Sequence, residues 1–246
     1  MIDRLKLSMR TMQMLTRAQE VIANNLANIN TPGYKGEKLF YHAFTSVVNG
    51  KKVENVYANQ TVQMQQGRLE STGNPYDLAI EGNGFFQIDK NGQMMLTRNG
   101  RFHVDSSGFL RDSYDGLVEG DSGPIQIPGF GQNGNGAGKM DKIEIAKDGT
   151  VRLNDRILDK IKLVKVSNVS LLKRMSGTYF KAESGNDIEV DTTSQVNQGY
   201  YEGSNVSPLK EMVKMTKNLQ LFESQQRVMK SNEEALSQAT TKLGQF

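Results

Sequence analysis

Apolar side chains recur every seven residues along the C-terminal part of the chain, a period typical of helices that pack along their whole length. The repeat comprises Met215, Phe222, Met229, Leu236 and Leu243, and Met212 and Leu219 supply a second seam. An isolated surface helix would drift off this register, so the period favours a coiled-coil-like partner. The helix is predicted to begin at Ser207-Pro208, because a capping residue followed by proline suits the first turn.

The N-terminal end carries a second amphipathic pattern. Steps of three and four residues separate Leu5, Met9, Met12, Leu15, Ala18, Ile22, Leu26 and Ile29. This spacing predicts a helix of about 25 residues with one apolar face. We expect the helix to end near Asn30, because Pro32 disfavours the helical conformation at Thr31. The two terminal helices either pair as a coiled-coil-like layer or pack on a shared core, and the pattern leaves both arrangements open.

Between the two ends, the pattern changes from helical spacing to that of short strands joined by tight turns. The turn signals are the pairs Asn91-Gly92, Asn99-Gly100, Asp115-Gly116 and Asp148-Gly149, which are the strongest local signature of β-hairpins. The predicted strands are 78–80, 85–88, 94–97, 102–104, 143–145 and 161–166. A glycine-rich tract at 129–138 is predicted to be a flexible loop.

These patterns together predict an α+β fold in which long N- and C-terminal helices pair as a coiled-coil-like layer and a central all-β domain consists of short antiparallel strands. The expected division is an N-terminal helix at 1–33, an extended connection at 34–72 and the β domain at 73–190. A return connection at 191–206 and a C-terminal helix at 207–246 complete it.

Composition excludes several kinds of chemistry. The chain has no cysteine and only two histidines, His42 and His103, so thiol catalysis is impossible and a zinc site would depend on carboxylates. Lysine and arginine alternate with acidic residues, whereas nucleic-acid binders show basic clusters. The tract ending at Gly138-Lys139 lacks the serine or threonine of a phosphate-binding loop. We therefore expect no catalytic residue, metal, cofactor, small-molecule substrate, nucleic acid or membrane span, and targeting rules alone would place the chain in the cytoplasm.

Four asparagines lie within seven residues at the end of the first predicted helix. They are Asn24, Asn25, Asn28 and Asn30. Asparagine is a poor helix former because its amide competes for backbone partners. End capping could account for Asn28 and Asn30 but hardly for all four, so we interpret the cluster as hydrogen-bonding groups for a neighbouring chain.

Four long motifs resemble the flagellar rod and hook protein family. They are Ile22–Lys35 (IANNLANINTPGYK), Gly67–Phe86 (GRLESTGNPYDLAIEGNGFF), Thr97–Asp105 (TRNGRFHVD) and Gly199–Met212 (GYYEGSNVSPLKEM). They span nearly the whole chain in order. The stretches 123–127, 143–151, 161–165 and 201–206 are most similar to the proximal rod type, whereas the tail from Ser224 also suits the distal rod type.

The resemblance implies a structural subunit that polymerises with copies of itself and with other rod proteins into a helical shaft that transmits torque from motor to hook. It further implies export without a cleaved signal through the flagellar type III apparatus, assembly beneath a rod cap protein, and a place in the periplasmic rod of the basal body. The absence of cysteine is compatible with that compartment. Alternatives left open are a rod-associated enzyme that acts on peptidoglycan, a glycan-binding module, and an export chaperone or cap.

The predicted subunit interface combines the apolar stripes, the asparagine cluster and the turn that follows it. In the N-terminal part it comprises Leu5, Met9, Met12, Leu15, Ile22, Asn24, Asn25, Leu26, Asn28, Ile29, Asn30, Thr31, Pro32, Gly33, Tyr34 and Lys35. In the C-terminal part it comprises Met212, Met215, Leu219, Phe222, Met229, Leu236 and Leu243.

Overall fold

The structure is a computed structural model that describes residues 2–48, 51–128, 142–169, 172–182 and 188–243, with side chains at 6–42, 57–128, 142–169, 172–182, 188–235, 237 and 238. The chain forms two compact units. Unit 1 consists of Met1–Ala27, Glu37–Thr61 and Ser207–Phe246, and unit 2 consists of Asn28–Gly36 and Val62–Val206. The predicted glycine-rich loop at 129–138 lies outside the described residues.

Unit 1 contains two helices and a pair of long strands. Helix α1 spans Ile2–Ala27, helix α2 spans Pro208–Leu243, and strands β1 (Glu37–Val48) and β2 (Lys51–Val62) form a two-stranded sheet. Both helices begin and end close to the predicted positions. The backbone amide of Glu211 donates to the carbonyl of Ser207 at 3.0 Å, which starts the first turn of α2 at the predicted cap.

The predicted fold class is wrong in its coiled-coil-like layer. Two seam residues of α2, Met212 and Leu219, are 51% and 47% exposed, so the seam is not packed against a partner along its length. Side-chain hydrogen bonds from Asn218 of α2 make a polar contact with α1. The Asn218 Nδ2 atom donates to the carbonyl of Leu15 at 3.0 Å and to Gln19 Oε1 at 2.8 Å. A seven-residue period specifies where apolar side chains stand on a helix, but it does not require that the same chain cover them.

Unit 2 is built from antiparallel β structure. Its described strands are β3 (Leu69–Ser71), β4 (Leu78–Glu81), β5 (Phe85–Lys90), β6 (Gln93–Thr97), β7 (Phe102–Val104), β8 (Leu110–Asp112), β9 (Leu117–Val118), β10 (Ile143–Ile145), β11 (Thr150–Leu153), β12 (Arg156–Lys160), β13 (Leu163–Val166), β14 (Leu172–Arg174), β15 (Tyr179–Ala182), β16 (Ile188–Val190), β17 (Gln195–Gln198) and β18 (Tyr200–Glu202). The six predicted strand segments coincide with β4, β5, β6, β7, β10 and β13.

The largest sheet of unit 2 has the order β14-β15-β6-β5-β9-β8-β7, and β13 pairs with both β5 and β16. Smaller sheets pair β10-β11-β12, β17 with β4, and β18 with β3. The first two strands of unit 2 pair with its last two. In the β3–β18 pair Glu70 lies opposite Tyr201, and in the β4–β17 pair Ile80 lies opposite Val196.

Consecutive phenylalanines show how the main sheet separates two apolar clusters. Phe85 and Phe86 are 1% and 0% exposed, and they point to opposite faces because side chains alternate along a strand. Phe86 packs edge-on against Phe102 with ring centroids 5.1 Å apart, in the larger cluster. Phe85 packs against Phe180 at 6.1 Å, in the smaller one. Both faces of the sheet therefore contribute to the core.

Three of the four predicted turn pairs are turns with left-handed residues. Asn91, Asp115 and Gly149 have φ of 56°, 63° and 88°. Asn99-Gly100 differs, because its glycine serves close packing: a Cβ atom on Gly100 would lie 1.6 Å from the carbonyl oxygen of Leu78. The amide of Leu78 also donates to the Gly100 carbonyl at 2.8 Å.

Candidate functional site

Four motif segments meet inside unit 2 around the carboxylate of Glu202. Lys35 Nζ lies 2.5 Å from Glu202 Oε1, and Arg98 Nη1 lies 3.4 Å from Oε2. The amide of Gly67 donates to Oε1 at 2.6 Å. The three charged side chains are 1%, 3% and 0% exposed for Lys35, Arg98 and Glu202. We call this group the Glu202 hub; it connects the turn after α1 with the start of β3, the end of β6 and the end of β18.

Burial dominates the electrostatics of the Glu202 hub. It lowers the pKa of Lys35 below its ordinary value, because the ammonium group loses its hydration, and the nearby Glu202 carboxylate opposes this shift. Burial likewise lowers the pKa of Arg98, and the charges of Glu202 and Asp191 oppose that shift. Removing one member of such a buried group leaves a charge without compensation, which is far more costly than breaking a surface ion pair. We therefore expect the loss of any one charged member of the hub to destabilise unit 2.

The turn that delivers Lys35 to the hub depends on a glycine. Gly33 has φ of 68°, a left-handed conformation that glycine adopts without strain. A Cβ atom at this position would lie 2.2 Å from the backbone nitrogen of Asn99. The amide of Gly33 donates to the carbonyl of Glu202 at 2.6 Å. Both the conformation and the close approach thus require glycine.

In unit 1, Asn25 of the asparagine cluster makes its contacts within the chain. Its side chain is 1% exposed, and Nδ2 donates to the carbonyl of Glu37 at 2.9 Å and to Glu211 Oε2 at 3.3 Å. The amide of Glu37 donates back to Asn25 Oδ1 at 2.9 Å. One amide therefore joins α1, β1 and α2. Asn28 organises the turn after α1 by accepting from Thr31 Oγ1 at 3.1 Å, whereas the side chains of Asn24 and Asn30 are exposed.

The remaining predicted interface residues divide by exposure. Buried ones are Ile22, Gly33, Tyr34 and Lys35; half-buried ones are Met12, Leu15, Leu26, Ile29, Thr31, Pro32, Met215, Phe222 and Met229; and exposed ones are Met9, Met212 and Leu219. The side chains of Leu5, Leu236 and Leu243 lie outside the described residues. Part of the predicted interface is therefore buried within a single chain. Contact between these residues and another subunit stays a prediction.

Helix α2 exposes apolar side chains that the heptad analysis missed. They are Leu209 at 73%, Val213 at 47%, Leu221 at 59% and Val228 at 48% exposure. At about 100° per residue, they lie on the side of α2 away from Met215, Phe222 and Met229, so a search for a single stripe passes over them, although the number of apolar residues around the helix was a visible signal. Unit 1 also contains an open groove of about 260 Å³, whose apolar lining comprises Ala18, Val21, Ile22, Leu39 and Tyr41.

The described residues contain no cluster of side chains suited to metal binding. None of their acidic and histidine side chains form a group of three that could hold a metal ion. Ser194, which has a carboxylate neighbour, accepts from the amide of Gly84 at 3.0 Å and donates to Asp191 Oδ2 at 2.5 Å, so its hydroxyl closes a turn. No helix in the described ranges is both long and apolar enough to span a bilayer.

Three family models match the chain in order. Residues 5–35 match the model of the flagella basal body rod protein, residues 79–153 that of the flagellar hook protein FlgE/F/G D1 domain, and residues 197–242 that of the flagellar basal body rod FlgEFG protein C-terminal region. The three charged members of the Glu202 hub each lie within one of these ranges: Lys35 in the first, Arg98 in the second and Glu202 in the third.

Curated relatives match nearly the full length. The flagellar basal-body rod protein FlgF of Buchnera aphidicola subsp. Schizaphis graminum is 30% identical over 228 residues, which is 90% of each chain. FlgF of Caulobacter vibrioides is 29% identical over 238 residues, or 94% of each chain. The flagellar basal-body rod protein FlgG of Buchnera aphidicola subsp. Baizongia pistaciae is 28% identical over 247 residues, covering 88% of this chain and 90% of that protein.

Proposed function

This chain belongs to the family of flagellar basal-body rod proteins and is of FlgF type, and from that premise we propose that its copies join one another and other rod proteins to form a shaft that carries torque from motor to hook. It is a structural subunit of the flagellar basal body, and its full-length relationship to rod proteins is the observation that carries the proposal.

The exposed apolar side chains of unit 1 support assembly through this unit. One side of α2 exposes Val213, Leu221 and Val228 by 47% to 59%, and large exposed apolar patches mark interaction sites. Covering such side chains contributes about 25 cal/mol per Å² of apolar area removed from water. The proposed subunit contacts are therefore these residues together with the exposed and half-buried members of the predicted interface.

The route to the assembled rod is part of the same proposal. We infer that the subunit leaves the cell through the flagellar type III apparatus without a cleaved signal, polymerises beneath a rod cap protein and resides in the periplasm. A rod needs identical contacts that do not close on themselves, because such contacts generate a helical assembly. We further propose that the subunit has no catalytic activity, since its family is structural.

A complementation experiment tests the contact surface. In a strain that lacks the gene, a plasmid supplies either the wild type or the double variant Leu221→Asp, Val228→Asp, which changes two exposed residues on the same side of α2. The aspartates cannot be covered by an apolar partner without loss of hydration, so we expect swimming to fall to the level of the deletion strain. The matched control is Gln220→Asp, Gln226→Asp, which introduces the same two charges at exposed polar positions of α2.

Circular dichroism of the purified proteins shows whether each variant is folded before swimming is scored. We expect the control to swim within about twofold of the wild type, because surface substitutions away from contacts change stability little. Equal swimming of a folded double variant and its control would exclude this surface of α2 from the proposed assembly.

A further inference from the structure

The segment Thr31–Gly36 lies in unit 2 as a bound peptide would lie in its receptor. Helix α1 before it and strand β1 after it are both assigned to unit 1, whereas the segment itself belongs to unit 2. We call Thr31–Gly36 the docked segment. The slot comprises Gln63, Gln65, Arg98, Asn99, Arg174, Glu202 and Asn205.

Main-chain hydrogen bonds hold the docked segment along its length. The amide of Gly33 donates to the Glu202 carbonyl at 2.6 Å, and the amide of Gln63 donates to the Gly36 carbonyl at 2.7 Å. Asn205 contributes twice, because its amide donates to the Tyr34 carbonyl at 3.3 Å and its Oδ1 atom accepts from the amide of Gly36 at 2.7 Å. The Asn205 Nδ2 atom is held in turn by the carbonyls of Gln63 and Gln65 at 2.8 and 2.9 Å.

Side-chain contacts make the slot selective for this sequence. The guanidinium of Arg174 stacks over the ring of Tyr34 at 4.4 Å from the centroid, and its Nη2 atom donates to the carbonyl of Lys35. Lys35 Nζ donates to Glu202 Oε1 at 2.5 Å and to the Gln65 carbonyl at 2.9 Å. The lack of space at Gly33 excludes any other residue there. The slot thus recognises glycine, an aromatic ring and an ammonium group in consecutive positions.

We propose that the slot is a sequence-specific peptide site, which binds the chain's own docked segment here and binds the same segment of a second copy when its own is withdrawn. The occupant is a second copy because each feature of the slot is complementary to this chain's own Gly-Tyr-Lys-Gly sequence. All these contacts are non-covalent. They can therefore form in the same way whether the segment comes from the same copy or from a second one. The chain's own segment competes at an effective concentration of about millimolar. Exchange therefore becomes visible when that segment is disabled or when a second segment is supplied above this concentration. The inference does not depend on the rod assignment.

Two full-length variants test exchange directly. The acceptor carries Gly33→Val, which prevents its own segment from docking, and the ¹⁵N-labelled donor carries Glu202→Lys, which disables its own slot. In an equimolar mixture, native mass spectrometry should detect mixed dimers at least tenfold more abundant than either homodimer. A donor that also carries Lys35→Met is the control and should reduce the mixed dimer at least tenfold. Folded variants that give no mixed dimer would overturn the proposal.

The wild type provides a second test that does not rely on the folding of either variant. It is refolded from urea with a fluorescein-labelled peptide of residues 28–37 at about ten times the effective concentration of the chain's own segment, and it is then separated from free peptide by gel filtration. We expect retention of this peptide at least tenfold above that of the same peptide with Lys35→Met. Equal retention of the two peptides would overturn the proposal.

Discussion

The ammonium group of Lys35 lies 2.5 Å from the carboxylate of Glu202, although the two residues are 167 positions apart in the sequence. Both side chains are almost fully buried, so each depends on the other for compensation of its charge. The ion pair joins two parts of unit 2 that are distant in sequence, the turn after α1 and the segment that precedes α2. One ion pair thus connects the first and the last of the four sequence motifs.

Glu202→Gln should destabilise the protein strongly, because it leaves Lys35 and Arg98 buried without the carboxylate that compensates them. Loss of one partner of a buried ion pair costs about 3–5 kcal/mol. Urea unfolding followed by circular dichroism measures the effect. The matched control is Glu70→Gln on exposed β3, expected to change stability by less than about 0.5 kcal/mol. A loss below 1 kcal/mol for Glu202→Gln would show that the buried charges do not depend on this carboxylate.

Comparing alanine substitutions at two glycines with nearly the same backbone conformation distinguishes the cost of backbone strain from the cost of steric crowding. Gly33 and Gly73 have φ of 68° and 71°, yet a Cβ atom on Gly73 would meet nothing within 4 Å, whereas one on Gly33 would meet the backbone of Asn99. Gly73→Ala should cost about 1–2 kcal/mol for the left-handed conformation. Gly33→Ala should cost about 1–3 kcal/mol more from overpacking. Thermal unfolding of both variants checks the difference, and equal losses would mean that the segment moves away from Asn99 at little cost.

Asn25→Ala should destabilise unit 1, because the carbonyl and amide of Glu37 lose the side chain that joins them to α1. An unsatisfied buried polar group costs about 1–3 kcal/mol. The neighbouring Asn24→Ala replaces an exposed side chain and should change stability by about 0.5 kcal/mol or less. Hydrogen exchange at the Glu37 amide gives a local measurement, since its protection should fall only in Asn25→Ala. Unchanged protection there would contradict the assigned role of Asn25.

Alkaline pH should weaken the fold through Tyr179. Its hydroxyl donates to the buried carboxylate of Asp112, and burial, with this carboxylate, raises the pKa of Tyr179 above its ordinary value of 10.0. A pKa raised by folding contributes stability that is complete below the unfolded pKa and is lost as pH rises above it. Stability of the wild type should therefore fall above pH 10, by at most about 1.4 kcal/mol per pH unit from this group.

Tyr179→Phe should remove the contribution of this group to the fall in stability above pH 10. It should also cost about 1–3 kcal/mol at neutral pH, because Asp112 loses its donor. Urea unfolding at a series of pH values measures both effects. The exposed Tyr200→Phe serves as the control and should leave the slope unchanged. An unaltered slope in Tyr179→Phe would assign the alkaline loss to other groups.

Local sequence was enough to predict both helices and many strands. Asn91-Gly92 predicted a tight hairpin because left-handed backbone in consecutive positions selects these residues, and β5 and β6 meet there. Ser207-Pro208 predicted the start of α2 for a similarly local reason. Asn99-Gly100 carries the same signature but is used for close packing against Leu78, and a pair of residues cannot distinguish these two uses.

The Glu202 hub could not be predicted from local patterns, because its members are far apart in sequence and charged residues are seldom buried. The signal available was indirect: Lys35, Arg98 and Glu202 each stand inside one of the long motifs. The prediction of a coiled-coil-like layer is wrong for a related reason, since the spacing of Met212 and Leu219 defines a stripe without stating what covers it. Asn25 was predicted to contact another chain, and that contact stays a prediction; the sequence did not indicate the bonds that Asn25 makes to Glu37 and Glu211 of its own chain.

Electron microscopy of basal bodies from an in-frame deletion strain tests the central claim most directly. If the chain is a structural subunit of the rod, basal bodies from the deletion strain should retain rings but have a missing or truncated rod, the cells should not swim, and a plasmid copy of the gene should restore both. Complete rods and hooks in swimming deletion cells would contradict the account.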